Sequence, residues 1–147
     1  MRIGRRAVLG AALLVALGAI AIGIGRMRPN VDRGPLVGMV RETEIRIAPG
    51  DLPEVMRALH DEPEFRFESL MDLCGVDTGT VMQAVYHLWS ATTPDWLRVV
   101  ADGLSRDDPR VPSVTFLWKG AEWQEREAYD MFGIAFEGNR DLRRIYM

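Results

Sequence analysis

The chain is poor in the residues that carry redox and metal chemistry: one cysteine, Cys74, and two histidines, His60 and His87, in 147 residues. A single thiolate excludes an iron–sulfur cluster held within the chain, because such clusters generally need about four. It also excludes an internal disulfide and leaves the redox compartment undecided. Neither histidine has a second histidine or a cysteine at ligand spacing, so a structural zinc or a histidine-based catalytic pair has no support. His87 reads instead as a hydrogen-bonded structural residue. Cys74 reads as a buried thiol, at helical spacing with Phe67, Leu70 and Met71. No glycine-rich sequence ends in Lys-Ser or Lys-Thr. Gly23-Ile-Gly25 lies in an apolar run without the third glycine of a dinucleotide loop. No catalytic, cofactor-binding or metal-binding residue is expected.

Positive charge is scarce outside the N-terminus. Residues 1–33 hold six arginines and one aspartate, a net charge of +5, so the remainder carries −8 of the total of −3. An acidic remainder lacks the basic footprint that releases counterions from phosphates, which excludes nucleic acid as a partner.

What is present divides the chain into three parts. Ala7 to Gly25 is an uninterrupted apolar stretch of 19 residues, close to the ~20 that cross a hydrocarbon core. Residues 1–28 are therefore expected to form a membrane anchor with one transmembrane helix, contacting lipid through residues 7–25. Arg2, Arg5 and Arg6 before a small-residue site at Ala19-Ile-Ala21 also fit a cleaved signal segment. Arginines flank the span on both sides, so charge does not orient it. Residues 29–41, with Pro29 and Pro35, read as a linker. Residues 42–147 are long enough for one core.

Within that domain Glu42–Ile47 alternates as a strand. Asp51 is a plausible cap, with Glu54 three residues on, for a helix through Leu52, Val55, Met56 and Leu59. Phe67–Cys74 reads as a second helix ended by Gly75. Val81–Ala91 reads as a largely buried strand, and Trp96–Ala101 can pair with it across Thr92–Asp95. The expected class is α+β: a small, mainly antiparallel sheet with helices on one face.

The densest information lies in Trp123–Ile145. A helix from Ala121 to Phe132, at roughly 100° per residue, places Ala121, Ala128 and Phe132 on one side, flanked by Tyr129 and Met131, with Glu125 in the middle of the stripe. A buried carboxylate needs a partner, and Arg143 and Arg144, past the turn residues Gly133 and Gly138-Asn139, are the expected ones. Trp123, Arg126, Glu127 and Asp130 fall on the opposite side. Exposed tryptophan and arginine are typical interface anchors, although an ordinary amphipathic helix end with solvated charges fits the same pattern.

Glu125-Arg-Glu-Ala-Tyr-Asp-Met-Phe-Gly-Ile134, Phe136-Glu-Gly and Asp141-Leu-Arg-Arg-Ile145 closely resemble the signature of the 30 kDa subunit of respiratory complex I, also called the C subunit of NADH-quinone oxidoreductase. The likeness extends upstream through Asp107–Thr115, Leu117-Trp118 with Gly120, and Phe67–Asp77. The resemblance implies a scaffold subunit with no independent activity, on the cytoplasmic side of the inner membrane, docked to other hydrophilic-arm subunits and especially to the quinone-pocket subunit. NADH, FMN, iron–sulfur clusters and quinone are then expected in those partners. Trp123, Glu125, Arg126, Glu127, Tyr129, Asp130, Phe132, Gly133, Arg143 and Arg144 become the expected interface or motif-stabilising residues. Related domains serve membrane-bound hydrogenases and formate hydrogenlyases, and a stand-alone membrane-anchored binding protein is a further alternative. Two departures stand out. Typical members lack a span, and they continue past the position of Met147 into a tail, so weaker docking is expected here.

Overall fold

The computed structural model describes residues 42–145 apart from 64, 93 and 94. The expected anchor and linker lie outside the described residues, and among these no helix is long and apolar enough to cross a membrane.

Strand β1 (Glu42–Ile47) leads through a 3-10 turn (Pro49–Asp51) into helix α1 (Leu52–Asp61). Leu52, Met56 and Leu59 form the buried face of α1, three or four residues apart as one side of a helix requires. The expected cap is not made: Asp51 is itself helical, as the last residue of the 3-10 turn, and its side chain caps nothing. Pro53, in the first turn, needs no amide partner there.

The second expected helix is a strand. Ser69–Asp77 forms β2, antiparallel to β3 (Met82–Ser90). Its helical appearance has a local cause. Leu70 lies opposite Leu88 and Leu73 opposite Tyr86, with the register shifted between Leu70 and Asp72. The extra residue, Met71, turns Leu70 and Leu73 toward the same core, and two inward residues three apart imitate a helix period. Cys74 thus lies on a strand and is half-buried rather than buried, beside Val85. Gly75 continues the strand instead of ending a helix.

Strand β4 (Asp95–Leu104) pairs antiparallel with β3, as the sequence suggests. A second bulge sets Asp102 and Gly103 opposite Gln83 alone, and Gly103 takes a positive φ of 82°. Trp89 and Trp96 face each other across these strands with ring centroids 5.0 Å apart. The sheet order is β1-β4-β3-β2, and β1 runs parallel to β4. The sheet is therefore mixed. Two reversals, from β2 into β3 and from β3 into β4, return β4 to the direction of β2, and β1 runs the same way.

Two three-residue strands complete the fold: β5 (Arg110–Pro112) and β6 (Ala135–Glu137), a separate parallel pair joined through helix α2 (Ala121–Phe132). They are too short to leave a period in the sequence. Val111 and Phe136, opposite one another, are both buried. Both helices contribute to a single core with Tyr86, Leu88, Leu97 and Val99 from the sheet.

Candidate interaction site

Helix α2 begins and ends where its sequence indicates, and Gly133 terminates it in the left-handed region at φ 73°. The Gly133 amide donates to the Tyr129 carbonyl at 2.9 Å, the usual glycine closure of a helix. Phe132 packs against β2 at Gly75, where an added Cβ would stand 2.7 Å from a Phe132 ring carbon and 3.0 Å from Ile134. The glycine in β2 is what lets the helix approach the sheet.

Glu125 is fully buried, but its partners are not the expected arginines. The Val114 amide donates to Oε1 at 2.8 Å, and the Ser113 hydroxyl and the Asn139 side-chain amide each donate to Oε2 at 2.8 Å. Arg143 and Arg144 sit further along the chain, facing Asp141 and Asp130. Burial pushes the Glu125 carboxyl up from its ordinary range, against the opposing pull of these three donors. Tyr86 is buried nearby. Burial, then the charge of Glu125, pushes its hydroxyl well above the ordinary tyrosine value, and among the described residues its oxygen has no hydrogen-bond partner.

Arg126 corrects a second expectation. It does not share the solvated side with Trp123 and Glu127, being only 6% exposed. Its Nε donates to the Asp141 carbonyl at 2.9 Å, and an Nη donates to the Asp141 carboxylate. The guanidinium also lies over the Trp123 ring, 4.6 Å from its centroid, within the reach of a cation–π contact. Asp141 in turn accepts from Arg143 Nε at 2.7 Å. The hydrogen bond from Arg143, with the neighbouring charge of Arg126, holds the Asp141 carboxyl below its usual range.

The outer ridge of α2 is left open. Trp123 is 62% exposed and Met131 63%, and Glu127 between them is exposed. Tyr129 and Asp130 are partly covered, and Arg144 approaches Asp130 at 4.0 Å. The structure brings Trp123, Asp130, Arg143 and Arg144 together, with Arg126 buried between the Trp123 ring and Asp141, while Glu125 and Phe132 serve the interior. Ser113, Asn139, Asp141, Gly75 and Tyr86 were not selected from the sequence. No spacing rule points to them, because each meets α2 from a distant segment. Among the described residues no three histidine, cysteine or acidic side chains are grouped to hold a metal ion. What the arrangement offers chemically is a preorganised aromatic and charged surface on a rigid support.

Residues 45–147 match the family described as Respiratory-chain NADH dehydrogenase, 30 Kd subunit. The NADH-quinone oxidoreductase C subunit of Verminephrobacter eiseniae (strain EF01-2) is 44% identical over 142 residues, covering 86% of this chain and 70% of the relative. The corresponding C 2 subunit of Rhizobium etli (strain CIAT 652) is 38% identical over 135 residues, covering 82% of this chain and 71% of the relative. Among solved structures, the trypsin-resistant fragment (1-134) of Nqo5 superposes with a TM-score of 0.63 at 30% identity, covering 89% of this chain and 98% of the fragment.

Proposed function

The chain belongs to the 30 kDa subunit family of respiratory-chain NADH dehydrogenase, and from that premise we propose that it is a non-catalytic scaffold subunit of an NADH-quinone oxidoreductase. In this reading it docks to the quinone-site and iron–sulfur subunits and holds them in register. NADH, FMN, the clusters and quinone are bound by those partners. Its contribution is geometric: electron transfer between fixed centres depends on their separation, and a packed domain maintains that separation without reacting. The apolar stretch Ala7–Gly25 tethers it to the inner membrane, with the domain on the cytoplasmic side.

One observation carries the docking role. Trp123 is held out to solvent with one ring face supported by Arg126, whose guanidinium is itself fixed by Asp141. An exposed aromatic immobilised before binding loses little further freedom on docking, which is what makes tryptophan and arginine effective anchors.

The test is isolation of the tagged full-length chain after mild detergent extraction. Co-isolation of iron–sulfur and quinone-site subunits supports the proposal. Recovery with nickel-containing partners points to a hydrogenase-type assembly, and recovery alone to a stand-alone binding protein. Either of those results overturns the reading.

A further inference from the structure

The segment 139–145 follows α2 in the same direction. Asn139 reaches Glu125 at 2.8 Å, Asp141 meets Arg126, and Arg144 lies 4.0 Å from Asp130. This alignment places Arg143 and Arg144, whose side chains are 75% and 83% exposed, beside the open ridge of Trp123, Glu127 and Met131. In a domain whose charge after residue 33 is strongly negative, residues 140–145 hold three arginines and one aspartate, so that even with Arg143 paired to Asp141 this strip beside the exposed indole keeps an excess of positive charge.

We propose that this face binds a protein surface carrying at least two carboxylates beside an apolar pocket, with the pocket taking Trp123 and the carboxylates facing Arg143 and Arg144. The inference rests on the docking role above and specifies the chemistry of the partner. Charge complementarity selects an acidic surface, since like charges juxtaposed at an interface repel and disfavour docking. A protein is favoured over an anionic bilayer by the carboxylates on the same ridge. Glu122 and Glu127 flank Trp123 and are substantially exposed. A uniformly anionic plane would meet them as well as the arginines, whereas a protein surface can place its own donors opposite them. Arg126 belongs to the support, because it is only 6% exposed and covered by the Trp123 ring, whereas Arg143, although it also bonds Asp141, keeps most of its side chain in solvent.

The test compares full-length variants by the amount of partner subunits recovered after mild detergent extraction. Replacing Arg143→Glu together with Arg144→Glu is expected to lower recovery on the order of tenfold. The charge-preserving pair Arg143→Lys and Arg144→Lys should keep most of it. Trp123→Ala should also reduce recovery on the order of tenfold, with Trp123→Phe intermediate. Because Arg143→Glu also removes the exposed pair with Asp141, the melting temperature of the charge-reversed chain is expected to fall by a few degrees at most. The single Arg144→Glu chain leaves that pair intact and should melt as the wild type does while still losing recovery, which separates lost docking from lost folding. Unchanged recovery of the charge-reversed chain, with wild type fully assembled, overturns this inference and leaves the scaffold role standing. Equal losses in the lysine and glutamate pairs also overturn it. Wild type recovered without redox subunits overturns both.

Discussion

The side-chain amide of Asn139 donates to Glu125 at 2.8 Å, joining the turn after β6 to the inner face of α2. Ser113 and Val114 reach the same carboxylate from the end of β5. One buried acid thus ties three segments together, and no arginine takes part. Glu125→Ala should destabilise the domain by about 2–4 kcal/mol, from the cavity and the donors left without an acceptor. Glu125→Gln should cost about 1 kcal/mol, since one amide can still serve Val114 and Ser113 but opposes the Asn139 donor. Chemical denaturation of the three proteins checks the order.

The same residue predicts a pH trend. With its carboxyl pushed up by burial, Glu125 binds its proton more tightly folded than unfolded. Its contribution is therefore fully present below the unfolded glutamate pKa of about 4.3 and is lost as pH rises through the folded value. Wild-type stability relative to Glu125→Gln should fall as pH rises from about 4 toward neutrality. A flat or rising difference would contradict the burial argument.

Arg126 is the support for Trp123, so its replacement should be felt in stability as well as docking. Arg126→Lys keeps the charge but loses the fork on Asp141 and the planar stack, and should cost about 1–2 kcal/mol. The Asp141 carboxyl is held low by Arg143 and Arg126. Its contacts are thus present above the unfolded aspartate value, about 3.9, and are lost only as pH falls through the folded one. The difference between wild type and Arg126→Lys should persist at neutral pH and narrow in strong acid. Thermal unfolding across that range measures it.

Gly75→Ala should be among the most damaging single-methyl additions. The new carbon would overlap Phe132 and crowd Ile134, forcing α2 away from β2 at a cost of about 1–3 kcal/mol. Pairing it with Phe132→Leu should recover part of the loss, because the smaller side chain vacates the contested space. A double-mutant cycle in urea would show coupling, and strict additivity would refute the contact.

Tyr86→Phe should leave the fold intact and be neutral or stabilising by about 1 kcal/mol, since it removes a buried hydroxyl oxygen that has no partner among the described residues. Loss of stability beyond about 1 kcal/mol would mean that the hydroxyl is satisfied in solution. Urea denaturation of the two proteins decides it.

Several features were legible locally. The bounds of α2 follow from the repeat of Ala121, Glu125, Ala128 and Phe132 and the glycine that ends it, while β3 follows from its run of apolar residues and β4 from the turn that lets Trp96–Ala101 pair with it. Residues 42–47 read correctly as a strand, and the motif Glu125–Ile134 identified the family. The helix misread at Phe67–Cys74 has a local cause: Met71 inserts one residue into β2 and erases its period of two, so the stretch around Leu70 and Leu73 counts as helical.

From its own order of residues the chain settled which apolar side chains turn inward along α1 and α2, because that depends on spacing over a few residues. Only the tertiary structure decided who meets them. Glu125 lies eleven residues from Val114 and Arg126 fifteen from Asp141, and those pairings form when β5 and β6 close side by side around α2. The parallel contact of β1 with β4 has the same origin. A burial pattern records that a charge is enclosed, whereas the identity of its partner depends on how distant segments are brought together.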